Sequence, residues 1–252
     1  MIEYGLSIDT VPPEKLPAGL TWLMLDNSVF TAPLRWPDQH RKMRRAVAHL
    51  ADRSLCRLAP AENLRLRLDF LRMMDRQLTE AARTPVEMVR TDCDFGRAGR
   101  EPAYREQLLV LLRAIGGMLE PHDMQLELGG RMPDEGCRPE QILALLRELP
   151  NRKIKLQWEI HPHEPGAAAI PAPVCRLLGY EAETLEFVYE PALGNHLTPK
   201  LLLPVLRALP VIPGRRIFFR PVGLSANAVA AEAAELAALA ATLQTELNSA
   251  AE

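Results

Sequence analysis

Three short stretches concentrate residues that can move protons or hold cations. Met124–Leu128 carries Gln125 and Glu127. IKLQWEIHPHEPG (154–166) carries Lys155, Gln157, Glu159, His161 and His163. Thr184–Glu190 carries Glu186 and Glu190. In each, polar and apolar residues alternate with period two, which puts the charged set on one face of a strand and Leu126, Trp158 and Phe187 on the other. Carboxylates gathered in one space repel unless protons or a cation compensate. A divalent metal bound through carboxylate oxygens and an imidazole is one remedy. Positive charge from Arg90, Lys155 and Arg220 is the other. A plainly structural reading stays open beside these: the same carboxylates paired with Arg90, Lys155, Arg216 and Arg220 as salt bridges. Asp9, Asp26 and Asp92 stand near other strand ends. His163 and His196 read as loop residues, and Cys93 as a small buried filler.

Such residues need strands that end at a common rim. Strands are expected at Tyr4–Asp9, Leu20–Asp26, Ser54–Leu58, Glu87–Cys93, Met124–Leu128 (ended by Gly129 and Gly130), from Ile154, at Thr184–Glu190 and at Arg216–Arg220. Helices are expected at Pro37–Arg53, Ala61–Ala82, Glu101–Leu119, Pro139–Leu149, Pro171–Leu178, Thr198–Ala208 and Ser225–Leu247, with Asp94–Pro102 as a loop. Strand and helix alternate eight times, so parallel strands joined by helical crossovers follow. The chain of 252 residues suits a single (β/α)8 TIM barrel domain, 1–252, with its site at the C-terminal strand ends. An open doubly wound sheet is the runner-up, but no GxGxxG follows a strand, and no nucleotide cofactor is expected.

Composition narrows the classes. Apolar residues make up 48% and charged residues 25%, the balance of a soluble globular protein. A net charge of −2 gives no bulk electrostatic case for nucleic acid or an anionic membrane. The basic runs Arg41–His49 and Asn63–Arg76 read as solvated helix faces. Cys56, Cys93, Cys137 and Cys175 form no CxxC pair, which argues against a zinc knuckle. There is no apolar run of ~20 residues and no secretory signal at the N-terminus. A reducing cytoplasmic compartment is the expectation. The Ala-rich closing helix serves either the barrel wall or a homo-oligomer.

From Val86 to Val222 the order of features resembles the xylose isomerase-like TIM barrels, the superfamily of sugar isomerases, epimerases and endonuclease IV. Val86-Glu-Met-Val-Arg90 and Tyr104–Arg113 resemble its fourth strand and helix. His122–Leu128 resembles its fifth strand, and Trp158-Glu-Ile-His-Pro-His163 its sixth. The resemblance implies a sugar or sugar-phosphate pocket. It implies Glu127, Glu159 and His161 (or His163) as ligands of a divalent metal: Mn, Zn, Mg or Co. It departs at Phe187-Val-Tyr-Glu190 and at Phe219-Arg220-Pro221, where Arg220 replaces a liganding acid.

The expected reaction is isomerisation or epimerisation of a polyhydroxy compound. Glu127, Glu159 and Glu190 are the candidate acid/base groups, and a cation stabilises the enediolate. Arg90, Lys155, His163 and Arg220 are the candidate substrate-binding residues. Two alternatives remain. One is a ligand-binding barrel without the metal. The other is a metal-dependent hydrolase or lyase on the same scaffold.

Overall fold

The computed structural model describes residues 2–8, 17–25, 46–49, 64–83, 86–131, 138–149, 152–164 and 172–249. Eight parallel strands close into a barrel in sequence order. They are β1 Glu3–Ile8, β2 Trp22–Leu25, β3 Ala46–His49, β4 Val86–Asp92, β5 Gln125–Arg131, β6 Ile154–Ile160, β7 Ala182–Tyr189 and β8 Arg216–Pro221. Seven helices are described: α1 Leu64–Ala81, α2 Phe95–Arg100, α3 Pro102–Leu119, α4 Pro139–Arg147, α5 Ala172–Leu178, α6 Pro199–Ala208 and α7 Ala226–Ser249.

Three elements differ from the sequence expectation. The third strand is Ala46–His49, inside the stretch expected to be helical, and it pairs with Leu23–Leu25 on one side and Val86–Arg90 on the other. Closure of the barrel demands a strand between β2 and β4, and that pairing overrides local propensity. The expected strand Ser54–Leu58 lies outside the described residues. Asp94–Pro102 is not a plain loop: Asp94 accepts from the Arg97 backbone N–H at 2.7 Å and so caps α2. Finally, β5 does not stop at Gly129 and Gly130 but runs through them to Arg131.

The main core lies between the outer face of the strands and the helices. Leu126, Leu156, Trp158, Leu185 and Phe187 are fully buried there, as the alternation requires. Each large apolar side chain sequestered this way contributes about 1.5–3 kcal/mol. The lumen is built from the opposite residues. The strand registers advance by about one residue per strand, so side chains from alternate strands share a level. From the bottom upward the levels hold Trp22, Met88, Lys155 and Arg216; then Gly5, Glu127 and Thr184; then Met24, Arg90, Gln157 and Phe218; then Ser7, Gly129 and Glu186; then Glu159 and Arg220 at the mouth.

The lumen is divided by chemistry. Trp22, Met24, Met88 and Phe218 form a small apolar cluster of their own, with the Trp22 and Phe218 rings edge to face at 6.5 Å. Charged residues border it directly: Arg90 Nη1 lies 3.7 Å from Met24 Sδ, and Arg216 Cζ lies 5.5 Å from the Trp22 ring centroid. Gly5 makes room for the apolar half: a Cβ there would lie 2.6 Å from Phe218 Cε1 and 2.7 Å from Trp22 Cβ. Gly5→Ala is therefore expected to lower stability by about 1–3 kcal/mol in urea unfolding. Unchanged stability would show that Phe218 does not pack over this glycine.

Candidate functional site

The charged half of the lumen is an ion network anchored on Arg90. Its side chain is 1% exposed. Arg90 Nη1 donates to Glu186 Oε2 in a short contact, and Nη2 donates to Glu159 Oε2 at 3.0 Å. The guanidinium thus rises from the middle of the lumen past two levels. Gly129 clears its path, since a Cβ there would lie 2.5 Å from Arg90 Nε. Arg220 Nη1 lies 3.9 Å from the same Glu186 oxygen.

A second, deeper pair sits below. Arg216 Nη2 donates to Glu127 Oε1 at 3.1 Å, and the Thr184 hydroxyl donates to the same oxygen. Glu127 is fully buried. Burial pushes its carboxyl up from the ordinary 4.5, against the opposing pull of Arg216, Thr184 and Arg90. Lys155 lies one level below Glu127 and pairs with Glu183 at 2.6 Å. Gln157, fully buried, has neither amide atom hydrogen-bonded among the described residues, and one oxygen each of Glu127 and Glu186 is likewise unpartnered.

At the mouth the chemistry changes. His161 Nε2 lies 2.6 Å from Glu159 Oε1, and His161 Nδ1 lies 3.5 Å from Glu164 Oε1. Both His161 and Glu159 keep about a fifth of their side chains exposed, 22% and 20%. Burial raises the Glu159 carboxyl, but the His161 hydrogen bond and the charges of Arg90, His161 and Arg220 outweigh it and hold it at about 2. An ionised carboxylate only accepts, so Nε2 carries the proton of this hydrogen bond. Nδ1, on the far side of the ring, faces Glu164, and the Glu159 carboxylate orients the imidazole.

The structure therefore sorts the expected site residues by depth. Glu159, His161 and Arg220 meet at the C-terminal mouth, with Arg90 directly beneath. Glu127 stands three levels below Glu159 and faces Arg216, because β5 presents it near its start. Lys155 is deeper still. Glu190 and His163 are exposed at the rim, and Glu190 precedes the 3-10 turn Pro191–Leu193. Asp9, Asp26 and the Asp92 side chain lie outside the described residues. Among the described residues, one group of metal-ligating type has its donor atoms all within 4.8 Å: His196, Glu232 and Glu235. It sits on the outer rim, where Tyr189 donates to Glu232, and its only trace in the sequence was the i, i+3 spacing of two Glu on the closing helix.

The expected metal trio of Glu127, Glu159 and His161 is not such a group. Among the described residues the lumen does not fit a divalent ion, because a guanidinium nitrogen already contacts an oxygen of each of Glu127, Glu159 and Glu186.

No protein-family model matches the chain, and no curated protein matches it in sequence. Solved structures match over nearly its full length. A D-psicose 3-epimerase determined in the presence of D-fructose is 8% identical, with 96% of this chain and 97% of that chain covered and a TM-score of 0.62. An AP endonuclease, family 2, from Brucella melitensis is 12% identical, with 94% and 98% covered and a TM-score of 0.60. A xylose isomerase-like TIM barrel protein from Mycobacterium smegmatis, in complex with magnesium, is 13% identical, with 89% and 85% covered and a TM-score of 0.54. The chain shares the (β/α)8 TIM barrel fold of these structures. Among the described residues no helix is long and apolar enough to cross a membrane.

Glu159 makes the site readable through pH. Its stabilising contribution is fully present above about 4.5 and is lost as pH falls toward about 2. Glu127, raised by burial, acts oppositely, but it is common to wild type and variant. The stability difference between wild type and Glu159→Gln should therefore shrink by of order 3 kcal/mol across that window, read from urea midpoints. A difference constant with pH would mean the carboxylate is not held ionised.

Proposed function

We propose that this barrel is a sugar isomerase or epimerase type of protein whose pocket is the C-terminal mouth, and that it moves its proton with protein groups alone. The observation that carries this reading is the Glu159–His161 pair at 2.6 Å, open to the mouth and bordered by Arg220. His161 Nδ1 takes the proton from the carbon beside a substrate carbonyl. The electron pair moves to the carbonyl oxygen, giving an enediolate, and the imidazolium formed is stabilised by ionised Glu159. Arg220 lies where it can hold the developing oxyanion or an anionic substituent of the substrate. Glu190, on the rim, is the second acid/base group. His163 borders the entrance. Glu127 and Lys155 belong to the buried pairs below.

The sugar-acting neighbours on this fold support the substrate class. They do not name the compound, since one scaffold carries several chemistries. A specific observation favours a second reading, a barrel that binds such a ligand without turning it over: among the described residues, Glu127, Glu159 and Glu186 are each held by a guanidinium.

Incubation with ketohexoses, aldohexoses and their phosphates in D2O separates the two. Turnover washes deuterium into the carbon next to the carbonyl, seen by NMR. His161→Asn should then slow the exchange by ~10²–10⁴-fold, and Arg220→Met should raise KM for the phosphorylated substrates. Ligand-induced thermal stabilisation with no exchange in any compound leaves the binding protein standing and removes the isomerase.

A further inference from the structure

We infer that the Arg90 guanidinium is the resident cation of this barrel and stands in for a divalent metal between Glu159 and Glu186. The inference does not depend on the proposed reaction. It rests on occupancy, charge and shape together.

Occupancy comes first. Arg90 touches both carboxylates through two different nitrogens, Nη1 on Glu186 and Nη2 on Glu159 at 3.0 Å. That bridging role is what an oxygen-liganded cation performs. Charge follows. Among the described residues, Glu127, Glu159 and Glu186 each lie against a guanidinium, of Arg216, Arg90 and, for Glu186, both Arg90 and Arg220, while Glu183 lies against Lys155 and Arg216. A divalent ion added to this set would crowd two more positive charges against guanidiniums already in a closed space, where like charges repel at high cost. Shape is the third argument. Gly129 lies against the guanidinium so closely that a Cβ would be 2.8 Å from Nη2 and 3.0 Å from Cζ. Met24 Sδ contacts Nη1 at 3.7 Å on another side. The backbone and its neighbours form a cradle for a planar side-chain cation. The same assignment accounts for Arg220 at the end of β8: with the cation supplied by β4, a further acid there would be an excess negative charge.

The test measures metal binding and needs no substrate, so its failure is distinct from a failure of the proposed reaction. It uses the full chain carrying His196→Ala, which removes the rim group from the reading. After dialysis against EDTA and removal of the chelator, the protein is titrated with MnCl2, with free Mn2+ read from its six-line EPR spectrum. Thermal unfolding is recorded with and without Mn2+. With Arg90 present, Mn2+ should stay free and the midpoint should not move. Arg90→Gln releases Glu159 and Glu186 toward each other; it should take up Mn2+ and gain several degrees in midpoint from it. Uptake of one Mn2+ by the protein with Arg90 intact, lost again in Glu186→Gln, overturns the inference. So does an Arg90→Gln protein that folds and ignores Mn2+. If Arg90→Gln does not fold, the titration of the Arg90-containing protein decides alone.

Discussion

Charge balance inside a closed barrel is the constraint on which the rest of this structure depends. A (β/α)8 lumen is sealed by its own side chains, so any ion placed there must be matched by another within a few ångströms. Here the match is made in two storeys. Arg216 serves Glu127 near the bottom, and Arg90 serves Glu186 and Glu159 above it. A buried ion pair contributes little net stability over an apolar pair of the same shape, but it is severe on any change to one partner. The network therefore acts more as a specification of the site than as a source of stability. The stability comes from the outer core, where Trp158, Phe187 and their neighbours are wholly removed from water.

The network also fixes what the mouth can do. Among the described residues, Glu159 is the carboxylate that faces both ways. One oxygen meets Arg90 from below, and the other meets His161 from above. The His161 hydrogen bond, with the charge of Arg90 behind it, keeps Glu159 ionised, and ionised Glu159 fixes which ring nitrogen turns toward it, leaving Nδ1 on the side of Glu164. The rim pair is thus joined to a cation that is itself buried. Gly129 is part of the same device. Its missing side chain is the space through which Arg90 climbs from the level of Gln157 to the level of Glu159.

Much of this was legible in the sequence, and the failures are instructive. Period-two alternation placed Glu127, Gln157, Glu159 and Glu186 on the inner face and Leu126, Trp158 and Phe187 on the outer, because the pleat gives a strand no other choice. Eight strand–helix alternations led to the closed barrel. Depth was not legible. Alternation says which face a residue takes but not how high it sits, and height depends on the stagger accumulated strand by strand around the barrel. That is why Glu127 and Glu159 look like partners in sequence and stand three levels apart in space. The third strand was missed because Ala46–His49 has a composition that suits a helix, and only pairing with β2 and β4 makes it a strand. Gly129 and Gly130 looked like a strand end because a glycine that yields space to a distant side chain has the same letter as one that turns the chain.

Arg90 shows the same ambiguity in a more consequential form. Read along the chain, an inward Arg beside inward acids suits equally a substrate clamp, a structural salt bridge and a replacement for a metal. The three differ in exposure and in contact number. A clamp needs an open face toward the mouth, and Arg90 has 1% of its surface exposed. A simple salt bridge needs one acid, and Arg90 holds two, from β6 and β7. What is left is a cation that gathers carboxylates from neighbouring strands, which is the electrostatic task a metal performs in an oxygen-ligand site. A guanidinium performs it without exchangeable ligand positions. It can hold Glu159 in place, but it cannot offer a vacant site to a substrate oxygen. On the proposed reading, oxyanion stabilisation then falls to the partly exposed Arg220, so that organising carboxylates and meeting the substrate are divided between two arginines on opposite strands, β4 and β8.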